Sequence, residues 1–319
     1  MFELLKNTRQ QILVAWLCLG ITIAQILAAG SIVHAWPTQA SELIVCDVGQ
    51  GDAILVKDRF SHTLIDAGTE SNSVLHCLTN HIPWFDTRLD LFIATHPDSD
   101  HIGGAEAVLN RFEVTQVMIN ADAKSTAVFA GFREAVLRKK ESGAKLLFPK
   151  DLVNGRMAHS IEYQVLSPQE RVDSKNVFIQ EATETTLSDV IEEYEREIKN
   201  YNERSIVLFL NIKGTTVLLP GDIETTTETA LTKTNLLTQV DILKVPHHGS
   251  KTSSTPQFID KVVPEVALFS VGQKNRFGHP SPDVISRFES IGTRVMRTDE
   301  QGEIRVSITD AQYEVTTQR

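Results

Sequence analysis

From Gln11 to Ser41 the chain carries no Lys, Arg, Asp or Glu, and Ile12 to Ala29 is almost continuously apolar. At about 1.5 Å rise per residue such a helix crosses most of a hydrocarbon core, so residues 12–36 are expected to engage a membrane. Lys6 and Arg9 precede the stretch and place the N-terminus on the cytoplasmic side, which sends the remainder outside. A cleaved signal peptide is the competing reading, since Ala28-Ala29-Gly30 resembles a processing site. Beyond it the period changes to two. Glu42 to Asp47, Ala53 to Lys57 and Thr63 to Asp66 predict an antiparallel meander.

Apolar runs then alternate with helical patterns. Strands are expected at Leu89–Thr95, Val114–Ile119 and Lys145–Phe148, with helices at Asn72–Asn80, Gly104–Arg111 and Ser125–Glu141 between them, and a further strand at Ile161–Leu166. This alternation is an α/β signature. From Gln169 to Glu203 the composition turns acidic and polar, which reads as a surface insertion.

The second half repeats the first. Ser205 to Ile212, a Lys213-Gly214 turn and Thr216 to Leu219 end in Pro220-Gly221-Asp222, as Ala53 to Lys57 and Thr63 to Ile65 end in Asp66-Ala67-Gly68. Strands at Ile242–Val245 and Val266–Val271, helices at Pro256–Val262 and Asp283–Ile291, and strands at Thr293–Arg297 and Gly302–Thr309 complete the pattern. Two such halves predict a duplicated fold, two sheets related by a pseudo-two-fold with helices outside. The expected division is residues 1–40, a cytoplasmic stub and membrane anchor, and residues 41–319, one domain carrying the acidic insertion near 169–203.

A formal net charge of −10 excludes a generally basic nucleic-acid coat, so any such contact must be local. The three cysteines, Cys18, Cys46 and Cys77, have no C-x-x-C spacing and are expected as buried thiols, with a Cys46 to Cys77 disulfide as the alternative in an oxidising compartment.

The candidate chemistry is concentrated in Thr95-His96-Pro97-Asp98-Ser99-Asp100-His101-Ile102-Gly103-Gly104, at the end of an apolar strand. Two imidazoles and two carboxylates within six residues are the ligand types that Zn²⁺ or Mn²⁺ accepts, and strand ends are where open α/β folds place sites. Asp222, the His247-His248 pair and His279 supply the same ligand types at later strand ends.

The central motif resembles the H-x-H-x-D-H-x-G-G signature of the metallo-β-lactamase superfamily, with Asp98 where the usual second His stands. Asp47-Val-Gly-Gln-Gly-Asp52, Leu64-Ile-Asp-Ala-Gly68, Leu219-Pro-Gly-Asp222, Lys244-Val-Pro-His-His-Gly-Ser250, Gly278-His-Pro280 and Arg297-Thr-Asp299 follow in an order similar to the extracellular metallo-hydrolase domain of the ComEC family of DNA-uptake proteins. The resemblance implies an αββα metallo-β-lactamase sandwich, here preceded by one N-terminal transmembrane helix, and two divalent ions, Zn²⁺ or Mn²⁺. His96 and Asp98 would hold the first ion, Asp100 and His101 the second, and Asp222 would bridge them. His247 is the expected last ligand and His248 its alternative. The usual third-motif His has no clear counterpart, because His159, the sole histidine in that interval, is expected on the surface.

The resemblance implies a membrane-anchored, extracytoplasmic metal-dependent phosphodiesterase, a nuclease acting on DNA during uptake. Asp100 would orient the nucleophile. His279 is a ligand, an acid to the leaving group or a structural residue. Lys244, Lys251, Lys274 and Arg276 are placed to hold phosphates, and Ser250, with Ser253 or Ser254 just before Pro256, to open an anion-binding helix N-terminus. Members of that family carry a many-helix channel before this domain, whereas this chain has one hydrophobic segment, which leaves three readings: a split subunit whose partner is a separate channel subunit, a fragment of a longer chain, or a free-standing hydrolase with another substrate. The other readings are a cell-envelope or small-molecule phosphoesterase of the phosphorylcholine-esterase type and a non-catalytic, metal-stabilised binding module.

Overall fold

The computed structural model describes residues 14–23, 25, 39–120, 122–149, 154–168, 200–310 and 312–319. The chain divides into residues 1–38 and residues 39–319. In the first unit residues 14–23 are helical and exposed. Most of the remaining expected membrane segment lies outside the described residues, among which no helix is long and apolar enough to cross a membrane.

The second unit opens with β1 (Ser41–Val45), β2 (Ile54–Asp58) and β3 (Ser61–Ile65), joined antiparallel. Helix α1 (Ser71–His81) leads to β4 (Arg88–Ala94), which pairs parallel with β3, and α2 (Ser99–Ile102) and α3 (Ala105–Arg111) follow its end. Then come β5 (Glu113–Ile119), α4 (Ala127–Glu141) and β6 (Lys145–Leu147), each strand parallel to the one before.

The second sheet runs β7 (Asn154–Ala158), β8 (Ile161–Ser167), β9 (Val207–Ile212) and β10 (Thr215–Leu219), all antiparallel, then after α5 (Thr225–Thr232) β11 (Ile242–Lys244), after α6 (Pro256–Val262) β12 (Val266–Phe269) and after α7 (Pro282–Ser290) β13 (Arg294–Arg297), all parallel. Past α8 (Thr298–Gln301), β14 (Ile304–Thr309) returns to pair with β1 and carries β15 (Gln312–Thr317) at its outer side. The orders are β15-β14-β1-β2-β3-β4-β5-β6 and β13-β12-β11-β10-β9-β8-β7. Strands β1 to β6 and β8 to β13 therefore share one sequence of joins, two antiparallel and three parallel. The expected duplication is a topological fact, and it makes β3 the counterpart of β10 and β4 the counterpart of β11.

Three apolar layers hold this together. Leu43, Val45, Ile54 and Val56 face the second sheet's Leu208, Leu210 and Val217 in a central core, while the alternate Ile44 and Leu55 face the helices α1, α3 and α4. On the far side Leu218, Leu243 and Phe269 pack on Phe258 of α6 and Phe288 of α7. Alternation sends successive side chains to opposite faces, and both faces are covered. The result is the expected helix–sheet–sheet–helix sandwich.

Cys46 and Cys77 form a disulfide with Cα atoms 5.9 Å apart, correcting the expectation of two thiols. The pair lies in the helix-side core and ties the end of β1 to α1, and closing a loop of this length stabilises by about 3 to 4 kcal/mol. Residues 169–199 of the expected acidic insertion lie outside the described residues. At its end, Glu203 is folded structure: its carboxylate accepts the backbone N–H of Thr226 and Thr227, both at 2.8 Å, in the first turn of α5. Strands β7 and β15 and helices α2, α5 and α8 were not foreseen.

Candidate metal centre

Two glycine contacts bring the loops together. A Cβ on Gly51, at φ +120°, would lie 2.0 Å from the Asp100 carbonyl, and one on Gly103 would lie 2.2 Å from the Thr69 carbonyl. Only the bare backbone fits. The loop from Asp47 to Asp52 can then lie on α2, with the Asp52 N–H donating to the Asp100 carbonyl at 3.1 Å and the Ala67 N–H to that of His101 at 2.7 Å.

Asp66 follows β3 and Asp222 follows β10, equivalent places in the two halves, with different work. The Asp66 Oδ1 accepts the Thr95 N–H at 2.8 Å, and its Oδ2 accepts both the Thr95 hydroxyl at 2.7 Å and Nδ1–H of His101 at 2.8 Å. The Thr95 hydroxyl proton is thereby committed to Asp66, so its oxygen accepts Nδ1–H of His96 at 3.0 Å. Across the sheets, Nδ1–H of His248 donates to the Ser270 carbonyl at 2.8 Å.

Each of these three rings thus spends Nδ1 on an oxygen. The opposite nitrogen, Nε2, is buried without a hydrogen-bond partner in His96, His101 and His248 alike. An imidazole whose Nδ1–H is held by an acceptor presents an Nε2 lone pair, the form that ligates a metal.

Those of His101 and His248 converge on carboxylates. Asp222 Oδ2 lies 3.2 Å from Nε2 of both His101 and His248, and Asp100 Oδ2 lies 3.5 Å from Nε2 of His248. One ligand atom from each of Asp100, His101, Asp222 and His248 falls within 4.8 Å of the others. The His96 ring lies against this group, its centroid 4.1 Å from that of His101. The donor set, nitrogen and carboxylate oxygen with three orphaned imidazole atoms, fits a divalent cation.

The electrostatics describe the same cavity without its cation. Burial pulls the His101 and His248 rings down, but Asp222, with Asp66 beside one and Asp52 beside the other, overcomes it and raises both well above the usual range. Burial opposes ionisation of Asp222 and Asp100, yet the facing imidazoles hold both carboxyls low. His96, desolvated and beside His101, is pushed down and stays neutral.

Several expected site residues are placed otherwise. His247 is not the inward ring: it pairs with Glu224 at 3.0 Å, and His248 takes the position beside Asp222. Asp98 stays outside the four-residue group and holds Lys124 Nζ at 2.7 Å. Lys244 is no phosphate-gripping cation, being fully buried in an ion pair with Asp52 and 3.3 Å from Asp222 Oδ1. Burial opposes both charges, but the two carboxylates raise the pKa of Lys244, while Lys244 and His248 lower that of Asp52 to about 2.

Ser250 opens no anion site. Its buried Oγ is paired with the Thr252 hydroxyl at 2.9 Å, and the anion beneath α6 is the chain's own Glu228, which accepts the N–H groups of Ser254 and Thr255 at 2.5 and 2.8 Å. His279 is half-buried beside His247, outside the ligand group, and desolvation with the nearby His247 and His248 pushes it down to about 4. A neutral ring at pH 7 is a poor acid for a leaving group. Lys251, Lys274 and Arg276 are exposed, and His159 is exposed in the turn after β7.

Ser205 and Ser270 were missed. The Ser205 hydroxyl accepts the Asp222 N–H at 3.1 Å, and the Ser270 carbonyl fixes His248. Ser270 directly follows β12, one more strand end, and that position was the available signal.

The model of a family described as the metallo-beta-lactamase superfamily matches residues 46–273. The chain is 28% identical to ComE operon protein 3 of Bacillus subtilis, over 89% of this chain and 36% of that protein. It is also 28% identical to Competence protein ComA of Neisseria gonorrhoeae, over 89% of this chain and 35% of that protein. It spans about a third of the length of these curated relatives. Among solved structures, the CmlA beta-hydroxylase is 13% identical with a TM-score of 0.50, covering 85% of this chain and 55% of that one, a likeness of fold.

Proposed function

The chain belongs to the metallo-beta-lactamase superfamily, and on that premise we propose that it is a metal-dependent phosphodiesterase that cleaves DNA outside the cytoplasm. The observation that carries the hydrolytic reading is the pair of buried Nε2 atoms of His101 and His248 facing Asp222 and Asp100, with the buried Nε2 of His96 on the ring against His101. The relatives' names, a competence protein among them, support DNA as the substrate.

His101, His248, Asp222 and Asp100 would hold one divalent ion, with His96 offering a further nitrogen toward a second. Bound there, such ions supply Lewis acidity toward a phosphoryl oxygen and acidify a water. Asp66, Thr95 and Ser270 keep the rings in the ligating tautomer. Lys244 fixes one oxygen of Asp222 and leaves the other facing the imidazoles. The Asp100 side chain is ionised and 27% exposed, the most open member of the group, so it is the carboxylate that can orient a nucleophilic water from the solvent side. Lys251, Lys274 and Arg276, all exposed, supply local positive charge on an otherwise acidic protein.

An extracytoplasmic site accords with the Cys46–Cys77 disulfide, since such bonds persist in oxidising compartments. The apolar run within residues 12–36 supports a membrane anchor.

The test is hydrolysis by the full chain, metal-stripped and then given Mn²⁺ or Zn²⁺, on single-stranded DNA, bis-p-nitrophenyl phosphate and a phosphorylcholine ester. DNA cleavage that disappears in Asp100→Ala supports the reading. Turnover of the small esters without DNA cleavage replaces the substrate, and no turnover with any metal removes the enzyme.

A further inference from the structure

We propose that the loop from Gly272 to Pro280 is a platform that stacks a base of single-stranded nucleic acid on Phe277 and feeds the adjoining phosphodiester to the metal centre. The proposal rests on the DNA reading above.

Phe277 is 68% exposed, and its ring lies nearly parallel to that of His279, with centroids 5.8 Å apart and planes at 16°. His279 in turn meets His247 edge-on at 5.5 Å, and His247 meets the inward His248 at 6.2 Å. A row of rings therefore runs from solvent to the ligand group.

The loop that carries it is built, not slack. The Asn275 side chain accepts the N–H of Phe277 at 3.2 Å and of His279 at 3.0 Å, and donates to the carbonyls of Gly272 at 2.9 Å and His279 at 2.6 Å. Past the loop, the Ser281 N–H donates to the Gly249 carbonyl at 2.9 Å, locking it to the turn that bears His248. Phe277 is thus held at a fixed place beside the site, largely exposed and with its ring parallel to that of His279.

The flanking charge selects the occupant. Lys274 and Arg276 are exposed on the same loop, and among the described residues no ion pair holds either. An aromatic face next to cations suits a base followed by its phosphate, because every base has a π-face and the backbone is anionic. The same cations oppose a quaternary ammonium headgroup, which an aromatic face alone would attract. A duplex keeps its base faces stacked, so the strand must be single.

The experiment measures binding by the metal-stripped full chain, using anisotropy of a fluorescein-labelled oligothymidylate and of an equally long oligomer with abasic nucleotides, alongside cleavage of both after Mn²⁺ is restored. Phe277→Ala is expected to weaken oligothymidylate binding about 5- to 100-fold. It should leave the abasic oligomer unaffected, and Phe277→Trp should restore the difference. Arg276→Ala should weaken both oligomers and lower the salt slope by about one. Equal binding of oligothymidylate by Phe277→Ala and the unaltered chain overturns the platform even where DNA is cleaved. Base-dependent binding without cleavage supports the platform and overturns the nuclease reading, and no binding by the unaltered chain overturns both.

Discussion

Asp66 Oδ2 lies 2.8 Å from Nδ1 of His101, joining residues 35 apart in sequence and fixing which ring nitrogen faces the metal centre. The same oxygen takes the Thr95 hydroxyl, which sets the tautomer of His96 in turn. One carboxylate thus orients two imidazoles. Asp66→Asn replaces one of its acceptor oxygens with a donor, and is expected to weaken Mn²⁺ or Zn²⁺ binding by about 10- to 100-fold while the fold persists. Isothermal titration checks this, and unchanged affinity would assign Asp66 to the turn alone.

His248 and His247 separate the inward ring from its neighbour. His248→Ala should lower hydrolysis by at least about 100-fold through loss of a ligand. His247→Ala removes a ring paired with Glu224 and should retain metal binding. Steady-state rates at saturating Mn²⁺ decide between them, and a larger loss in His247→Ala would return the ligand role to that residue.

Lys244 makes a stability prediction. Both it and Asp52 are buried, and removing one partner strands the other's charge, at a cost of about 3 to 5 kcal/mol. Lys244→Met should therefore lower the guanidinium midpoint sharply, and Lys244→Met combined with Asp52→Leu should recover part of the loss. A cost below about 1 kcal/mol for the single variant would mean that the pair is solvated.

The pH dependence of metal affinity has a definite sign. The pKa values of His101 and His248 are raised in the cation-free site, so both rings carry a second proton near neutrality. A cation must displace these protons, so affinity falls as pH falls and binding near pH 7 releases up to about two protons. Titration calorimetry in buffers of different ionisation enthalpy reads that release. Identical heats in all buffers would contradict it.

Much of this was legible because strand ends are readable. The repeated hairpin ending in Asp beside Gly announced the duplicated sheets, and both Asp66 and Asp222 reached the site as the two halves require. The His247-His248 choice was not legible for a backbone reason. Both residues adopt positive φ, 48° and 53°, so the turn follows neither strand nor helix periodicity and neighbour order does not say which ring turns inward.

Lys244 was misread despite a usable signal. It stands between Leu243 and Val245 at the end of a parallel strand covered on both faces, where a lysine must find a buried carboxylate. Strand β15 escaped because its Gln-Tyr-Glu-Val-Thr-Thr alternation is polar and its residues are exposed or half-exposed, as an edge strand allows. The disulfide joins a strand end to a helix, a proximity that only the packed structure contains.

Asp100, His101, Asp222 and His248 are expected to form the hydrolytic metal centre. Cleavage of single-stranded DNA by the full chain, with bound metal counted in the same preparation, tests it most directly when the unaltered protein is compared with His101→Ala. The unaltered chain is expected to bind Mn²⁺ or Zn²⁺ and cleave, and His101→Ala to lose both while keeping its far-ultraviolet circular dichroism. Equal metal content and equal cleavage in the folded variant would contradict it.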